Sequence, residues 1–266
     1  MNQIFDINRV MLFSKLKFNL NKKMFLISTG GFFGLLFIIT FFMAYSISPG
    51  EELIITNFHK VAYGIMLFAG TVFLASRSYY DMNTPEKSIT QILIPASTFE
   101  KFIVPAFATS FGWLIFSFLS YEVFSAFVNF LWSGLFGLSI EFFYIFDSIK
   151  NEGIPDLLKG FLLIHSIYFL GATAFKKYPL GKTLLAGFLI NAAITIFTLI
   201  LMITMFGSLR YFGSTFDDNS AKHFIKQIFS PKFAENLSYA VEMVFTIFLP
   251  LTFYVAAFFK LKEREA

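Results

Sequence analysis

Long stretches without a charged residue recur along this 266-residue chain, and they restrict its fold more than any other feature. A helix that crosses a bilayer needs about 20 mainly apolar residues, and seven charge-free runs approach or exceed that length. Charged residues make up only 14% of the chain, against about 25% in ordinary soluble domains. These features predict one all-α, polytopic membrane domain with six transmembrane helices, at 24–47, 58–76, 102–121, 159–175, 183–207 and 239–259.

The apolar run at 123–140 is the ambiguous part of this assignment, because it is long enough to form a seventh span. Only Glu122 separates it from the span at 102–121, and a helix cannot reverse across a membrane within one residue. We therefore interpret 122–156 as a continuation of the third helix followed by an apolar segment on the outer surface, where Trp132 suits an interface. A seventh span stays open as the alternative, and it would place the C-terminus on the other side.

Basic residues cluster in three segments, at 1–23, 176–182 and 260–264, whereas most acids fall in the segments between. By the positive-inside rule, this distribution predicts that both termini are cytoplasmic. The first 23 residues do not read as a cleavable signal, because the apolar run after them is longer than the roughly 7–15 residues of a signal peptide's apolar region. We expect 1–23 to form a basic interfacial helix before the first span.

Motifs for catalysis, metal binding and nucleotide binding are mostly missing from the sequence. It has no cysteine, no Gly-x-Ser-x-Gly and no His-Glu-x-x-His. Gly181-Lys182-Thr183 is similar to the end of a phosphate-binding loop, but Lys176 stands where that motif requires glycine. The net charge of +4 is too small to indicate a nucleic-acid partner. The sequence thus predicts no enzyme and no catalytic, cofactor-binding or metal-ligating residue.

Three polar residues inside the predicted spans are candidates for function: His165, Asn191 and Glu242. An ionisable residue within a span is a functional candidate by default. We expect His165 to lie near Ser166 and Asn191, either as a hydrogen-bonded structural residue or as part of a proton relay. Glu242 falls about one turn from the outer end of the last span, where we expect an interfacial carboxylate.

The loop at 77–101 is the most informative stretch outside the spans. Thr84 and Pro85 are typical of a helix start, and Ser97 with Glu100 forms a capping box that opens the third span. We expect a short cytoplasmic helix at 84–94, acting either as a connector or as a docking surface for a partner. The partner-coupling candidates are Thr84, Pro85, Glu86, Lys87, Gln91, Ser97, Glu100 and Lys101.

This layout resembles the permease subunit of ABC-2-type exporters, and the residues at 84–102 are similar to a segment of a bacterial group of such permeases. The resemblance implies a multi-pass protein of the bacterial inner membrane, a coupling helix that contacts a cytoplasmic ATP-binding-cassette ATPase, and a homodimer or heterodimer of permease subunits in the lipid bilayer. ATP would bind the partner, since this chain has no ATP-binding domain. The run at 123–140 departs from the tight outer turn of that family.

Other classes of function remain open from the sequence. A membrane scaffold or envelope-assembly factor is the main alternative to transport. A membrane-embedded enzyme would lack the cluster of acid, base and nucleophile that catalysis needs. A secondary transporter would lack both the inverted pair of broken helices and the carboxylate near the midplane.

Overall fold

The computed structural model describes residues 5–47, 51, 53–82, 93–138, 140, 154–206, 236 and 239–265. Every element with regular secondary structure in these ranges is helical. Six of the described helices are long and apolar enough to cross a membrane, which confirms the all-α, polytopic prediction. They are α1 (Ile7–Ser46), α2 (Leu53–Arg77), α3 (Thr98–Phe136), α4 (Ile154–Ala174), α5 (Pro179–Phe206) and α6 (Tyr239–Glu265).

Local sequence signals set the helix ends. Asp6 caps α1 by accepting a hydrogen bond from the backbone N–H of Asn8. Ser97 and Glu100 form the expected capping box at the start of α3, each side chain accepting from the other's backbone N–H. At the other end of α3, Gly137 has a φ of 65°, and glycine adopts this left-handed conformation without steric cost.

The basic N-terminal segment and the first predicted span form one continuous helix rather than two. α1 runs from Ile7 to Ser46 without a break at residue 23. No proline or glycine interrupts the chain between 7 and 29, so nothing forces a bend there. The 40 residues of α1 span about 60 Å at 1.5 Å per residue, roughly twice the thickness of a hydrocarbon core.

α3 is likewise longer than a single span requires. It continues through Glu122 to Phe136, so this part of the ambiguous apolar run extends the third helix. Of the stretch at 122–156 in which an outer segment was expected, residues 139 and 141–153 lie outside the described residues. So do residues 84–92 of the coupling helix predicted at 84–94.

Aromatic rings join α1 and α3 along most of their length. Phe25 contacts Trp113, Phe33 contacts Phe124 and Phe41 contacts Phe136, with ring centroids 6.3, 4.9 and 6.0 Å apart. The residue pairs advance together along both helices, so α1 and α3 run in the same direction. We call the end at which both helices begin the basic end of the bundle.

α4 lies at the centre of the other half of the bundle, packed against α2, α5 and α6. Phe161 and Phe169 of α4 are buried in two separate parts of the core. α5 is peripheral, and its central apolar stretch has no buried residue, so its surface faces lipid or another protein.

Candidate functional site

Charged side chains at the basic end tie five helices together, and Glu100 is the most deeply engaged of them. Its carboxylate has no exposed surface, although it stands at the first turn of α3. It accepts hydrogen bonds from the backbone N–H groups of Ser97 (2.8 Å) and Asp6 (2.7 Å) and from the guanidinium of Arg9 (3.0 Å). One carboxylate therefore caps α3 and fixes the start of α1 against it.

The C-terminal end of α6 provides the second part of this cluster. The carboxylate of Glu265 lies 3.3 Å from the ammonium of Lys101 and accepts a 2.5 Å hydrogen bond from the hydroxyl of Thr98. The guanidinium of Arg264 donates to the carbonyl oxygens of Ala172 at 3.2 Å and Met82 at 3.1 Å. Arg264 thereby joins the ends of α2, α4 and α6.

A further ion pair holds the end of α2 to α1. The ammonium of Lys17 lies 2.8 Å from the carboxylate of Asp81, which follows α2 in a single 3₁₀ turn. We call all these residues the anchor cluster: Asp6, Arg9, Lys17, Asp81, Met82, Ser97, Thr98, Glu100, Lys101, Ala172, Arg264 and Glu265. Asp81 and Met82 precede the segment 83–92, and Ser97 to Lys101 follow it. The residues on either side of that segment are therefore held in fixed positions.

The anchor cluster changes the roles expected for three coupling candidates. Ser97 is half-buried, and the side chains of Glu100 and Lys101 are buried and ion-paired within the chain. Glu100 and Lys101 therefore hold α3 in place instead of presenting charge to a partner. The remaining coupling candidates lie outside the described residues: Thr84, Pro85, Glu86, Lys87 and Gln91.

His165 lies at a junction of three helices inside the bundle. Its imidazole is fully buried, with Nε2 2.9 Å from the hydroxyl of Thr109 on α3 and Nδ1 2.6 Å from the hydroxyl of Tyr254 on α6. The Thr109 hydroxyl is also 2.8 Å from the carbonyl of Pro105. Every polar group is satisfied if Nε2–H donates to Thr109, Thr109 donates to Pro105 and Tyr254 donates to Nδ1. The arrangement fits a neutral imidazole that joins α3, α4 and α6.

His165 has hydrogen-bond partners other than the expected Ser166 and Asn191. Asn191 is exposed on α5, and its backbone carbonyl accepts from Thr195. The hydroxyl of Ser166 donates to the carbonyl of Leu163 on its own helix. Sequence position along a span does not reveal which helices pack together.

Both helices that contact His165 from outside α4 contain a π turn. In α3 the π turn covers Ala108–Gly112, just after Pro105, and it includes Thr109. In α6 it covers Val244–Phe248, just before Pro250. Proline lacks an N–H and disturbs the helical ladder, and π turns are frequent at functional sites. Thr109 reaches His165 from such a turn.

Glu242 is exposed, as expected for an interfacial carboxylate, and it forms an ion pair with Lys159 of α4. The pair links α4 and α6 at the end opposite the anchor cluster. A proton relay from His165 would need a nearby carboxylate, and the described contacts of His165 include none.

A second buried histidine site lies between α2 and α3. The imidazole of His59 is fully buried, with Nδ1 3.0 Å from the hydroxyl of Tyr121 and Nε2 3.1 Å from the amide oxygen of Asn129. The hydroxyl of Tyr121 also donates to the backbone carbonyl of His59 at 3.0 Å. These hydrogen bonds join α2 to α3, and the ring of Tyr121 also packs against Phe33 of α1, which indicates a packing role.

The sequence contained a signal for this second site. Ser117, Tyr121, Ser125 and Asn129 recur every four residues and are all buried on one face of α3. Polar residues at that spacing share a helix face and can hydrogen-bond to a neighbouring helix. Within the described ranges, no three side chains of the types that ligate metals come together.

The fold and these sites define a polytopic α-helical membrane protein with its charged contacts concentrated at one end. No protein-family model, curated protein or solved structure matches the chain.

Proposed function

We propose that the chain is the non-catalytic, membrane-spanning subunit of an ABC-2-type exporter, driven by a separate cytoplasmic ATP-binding subunit. In this proposal it lies in a bacterial inner membrane as a homodimer or heterodimer, with both termini in the cytoplasm. The segment at 84–94 is the element that docks on the ATPase.

The observation that carries the proposal is the anchoring of both flanks of 83–92. Before the segment, Asp81 is paired with Lys17, and the carbonyl of Met82 accepts from Arg264. After it, Glu100 is paired with Arg9. A docking element transmits motion only if its two ends are held by the helices that must move.

The arrangement of basic residues supports the cytoplasmic placement. α1 begins at the basic end, and α6 finishes there. The turn after α4, which carries Lys176 and Lys177, follows directly on the Ala172 carbonyl that Arg264 contacts. The three lysine- and arginine-rich segments therefore meet at one end, as expected for the cytoplasmic side.

Affinity purification of the whole protein from its native membrane tests the proposal. We expect an ATP-binding-cassette protein to co-purify with the unmodified chain. Ile89→Pro should reduce that yield strongly, because proline inside a helix costs about 3 kcal/mol or more. Ile54→Pro is the matched control, since it places the same residue in the first turn of α2, away from the anchor cluster.

Reversing the charges of Glu86 and Lys87 should have a smaller effect than Ile89→Pro. Exposed charge pairs are typically worth about 0–1 kcal/mol each, so the double change should lower affinity by at most roughly thirty-fold. If Ile89→Pro inserts normally and the partner yield is unchanged, the segment is only a connector. Recovery of envelope proteins without any ATPase would favour the scaffold alternative.

A further inference from the structure

A cleft between α1, α2 and α3 has features that the anchor cluster and the two histidine sites do not use. Its volume is about 660 Å³, within the range of small-molecule sites. At the basic end its mouth is lined by Lys17, Lys22, Arg77 and Asp81. From there it continues into the bundle between aromatic and aliphatic side chains, among them Phe25, Phe32, Met66, Trp113 and Phe116.

The described residues that line the mouth carry a net positive charge. Lys17 and Asp81 neutralise each other, since their charged groups are 2.8 Å apart. In the described part of the chain, neither Lys22 nor Arg77 has a carboxylate within ion-pair distance. The guanidinium of Arg77 instead lies over the ring of Tyr80, 4.5 Å from its centroid, which fixes its position at the rim. Lys22 and Arg77 are thus two cations at the mouth that no described carboxylate pairs.

The depth of the cleft matches one leaflet of a bilayer. Lys22 and Phe32 are separated by ten residues of a continuous helix, or about 15 Å at 1.5 Å per residue. The hydrocarbon part of one leaflet is about 15 Å thick. The cleft therefore suits a ligand with an anionic group at the membrane surface and an apolar body that extends towards the midplane.

We propose that this cleft binds an anionic glycerophospholipid from the leaflet at the basic end, with the phosphate between Lys22 and Arg77 and the acyl chains against Phe25, Trp113 and Phe116. The site is independent of the transport proposal and would exist in a scaffold as well.

A helix of a second copy fits the cleft less well than a lipid does. It would need a carboxylate to meet Lys22 and Arg77. The described acids at the basic end are already paired or capping within their own chain: Asp6, Asp81, Glu100, Glu263 and Glu265. A phospholipid brings its own anion and also covers the apolar walls.

Native mass spectrometry of the full-length protein, titrated with dioleoyl phosphatidylglycerol or dioleoyl phosphatidylcholine, tests the proposal. The two lipids have the same acyl chains, so a difference reports the headgroup charge. We expect tighter binding of the anionic lipid. The double variant Lys22→Gln with Arg77→Gln should weaken that binding by roughly thirty-fold, at about 1 kcal/mol per basic residue.

The matched charge control is Lys15→Gln with Lys23→Gln. Both lysines are exposed on α1, and neither lines the cleft. An equal loss in the control would mean that general electrostatic attraction, not the cleft, holds the lipid, and it would overturn the proposal. Equal binding of the two lipids would overturn it as well. So would inorganic phosphate that displaces phosphatidylglycerol at equal concentration, because the apolar walls would then contribute nothing.

A second pair of variants tests the apolar part. Ala69 is exposed on α2 and lines the cleft, so Ala69→Trp should fill it and lower the binding of both lipids. Ile65→Trp, one turn away and outside the cleft, is the control. Ala108→Trp fills the cleft from α3 and replaces Ala69→Trp if that variant does not fold. If filling the cleft separates a dimer and leaves lipid binding unchanged, a second copy occupies it and the lipid proposal is wrong.

Discussion

Replacing Gly70 by alanine tests whether α2 and α3 pack as described. A Cβ at this position would lie 2.8 Å from Cη2 of Trp113, 2.5 Å from its Cε2 and still closer to its Cζ2. These distances are far shorter than the roughly 3.5–4.0 Å between carbon atoms in favourable contact. The indole must therefore move, and its movement threatens the 3.0 Å hydrogen bond from Nε1 to the carbonyl of Leu67.

The size of the effect follows from three contributions. Overpacking a core typically costs about 1–3 kcal/mol. Loss of the indole hydrogen bond adds about 0.5–1.5 kcal/mol. Alanine gains up to about 1 kcal/mol over glycine inside a helix. We expect Gly70→Ala to destabilise the protein by about 0.5–4.5 kcal/mol in total.

Gly64 provides the control on the same helix. A Cβ there meets nothing within 4 Å, so Gly64→Ala should leave stability unchanged or raise it through helix propensity. Thermal unfolding in the same detergent should give a lower midpoint for Gly70→Ala and an unchanged or higher one for Gly64→Ala. In a Trp113→Leu background the clashing ring atoms are gone, and Gly70→Ala should then cost little. If Gly70→Ala and Gly64→Ala shift the midpoint equally, the packing of Trp113 on α2 is wrong.

Three further predictions concern the polar contacts and the topology. His165→Gln should preserve the fold, because glutamine keeps a hydrogen-bonding side chain. Side-chain hydrogen bonds between membrane helices average about 0.6 kcal/mol, so the loss of stability should be small. Loss of partner binding with normal thermal unfolding would indicate that His165 has a functional role in addition to a structural one. Glu100→Gln should lower the unfolding midpoint more than Glu263→Gln. Glu100 accepts hydrogen bonds as a buried charged group, worth about 1.5–3 kcal/mol, whereas the exposed ion pair of Glu263 is worth about 0–1 kcal/mol. Equal midpoints would contradict the anchoring role of Glu100. A cysteine at Pro179 should react with an impermeant reagent only from the cytoplasm, and one at Ile54 only from outside; reaction of position 179 from outside would reverse the orientation.

The six-helix class was predictable because it depends on run length and charge, which are properties of the sequence alone. The capping box was predictable for a similar reason, since Ser97 and Glu100 interact within one turn. That α1 continues without a break at residue 23 was harder to predict from the sequence. A change from basic to apolar composition does not by itself break a helix.

The side chains that contact His165 and Glu100 could not be predicted from the sequence, because these contacts join elements that are far apart in the chain. Arg9 is 91 residues from Glu100, and Tyr254 is 89 residues from His165. Several helices could have supplied a hydroxyl or a guanidinium to either site. Which one does so depends on the packing of the whole bundle.

The same three helices, α3, α4 and α6, are joined at two heights. At the basic end, α3 contacts α6 through Lys101 and Glu265, and α6 contacts α4 through Arg264. Thr109 follows Lys101 by eight residues, so the His165 junction lies about 12 Å deeper along α3. Two joints at different depths resist tilting of one helix against another, which a single joint would allow.

The end of α2 is attached to this three-helix unit through the Met82 carbonyl, which Arg264 holds together with that of Ala172. In an exporter of the proposed kind, a push on the segment after Met82 would therefore act on α3, α4 and α6 as one body. α1 is joined to that body through Glu100 and Arg9, and it forms one wall of the lipid cleft. Motion of the unit relative to α1 would change the width of the cleft. A lipid that binds the narrow form more tightly would oppose widening of the cleft, and one that binds the wide form more tightly would favour it.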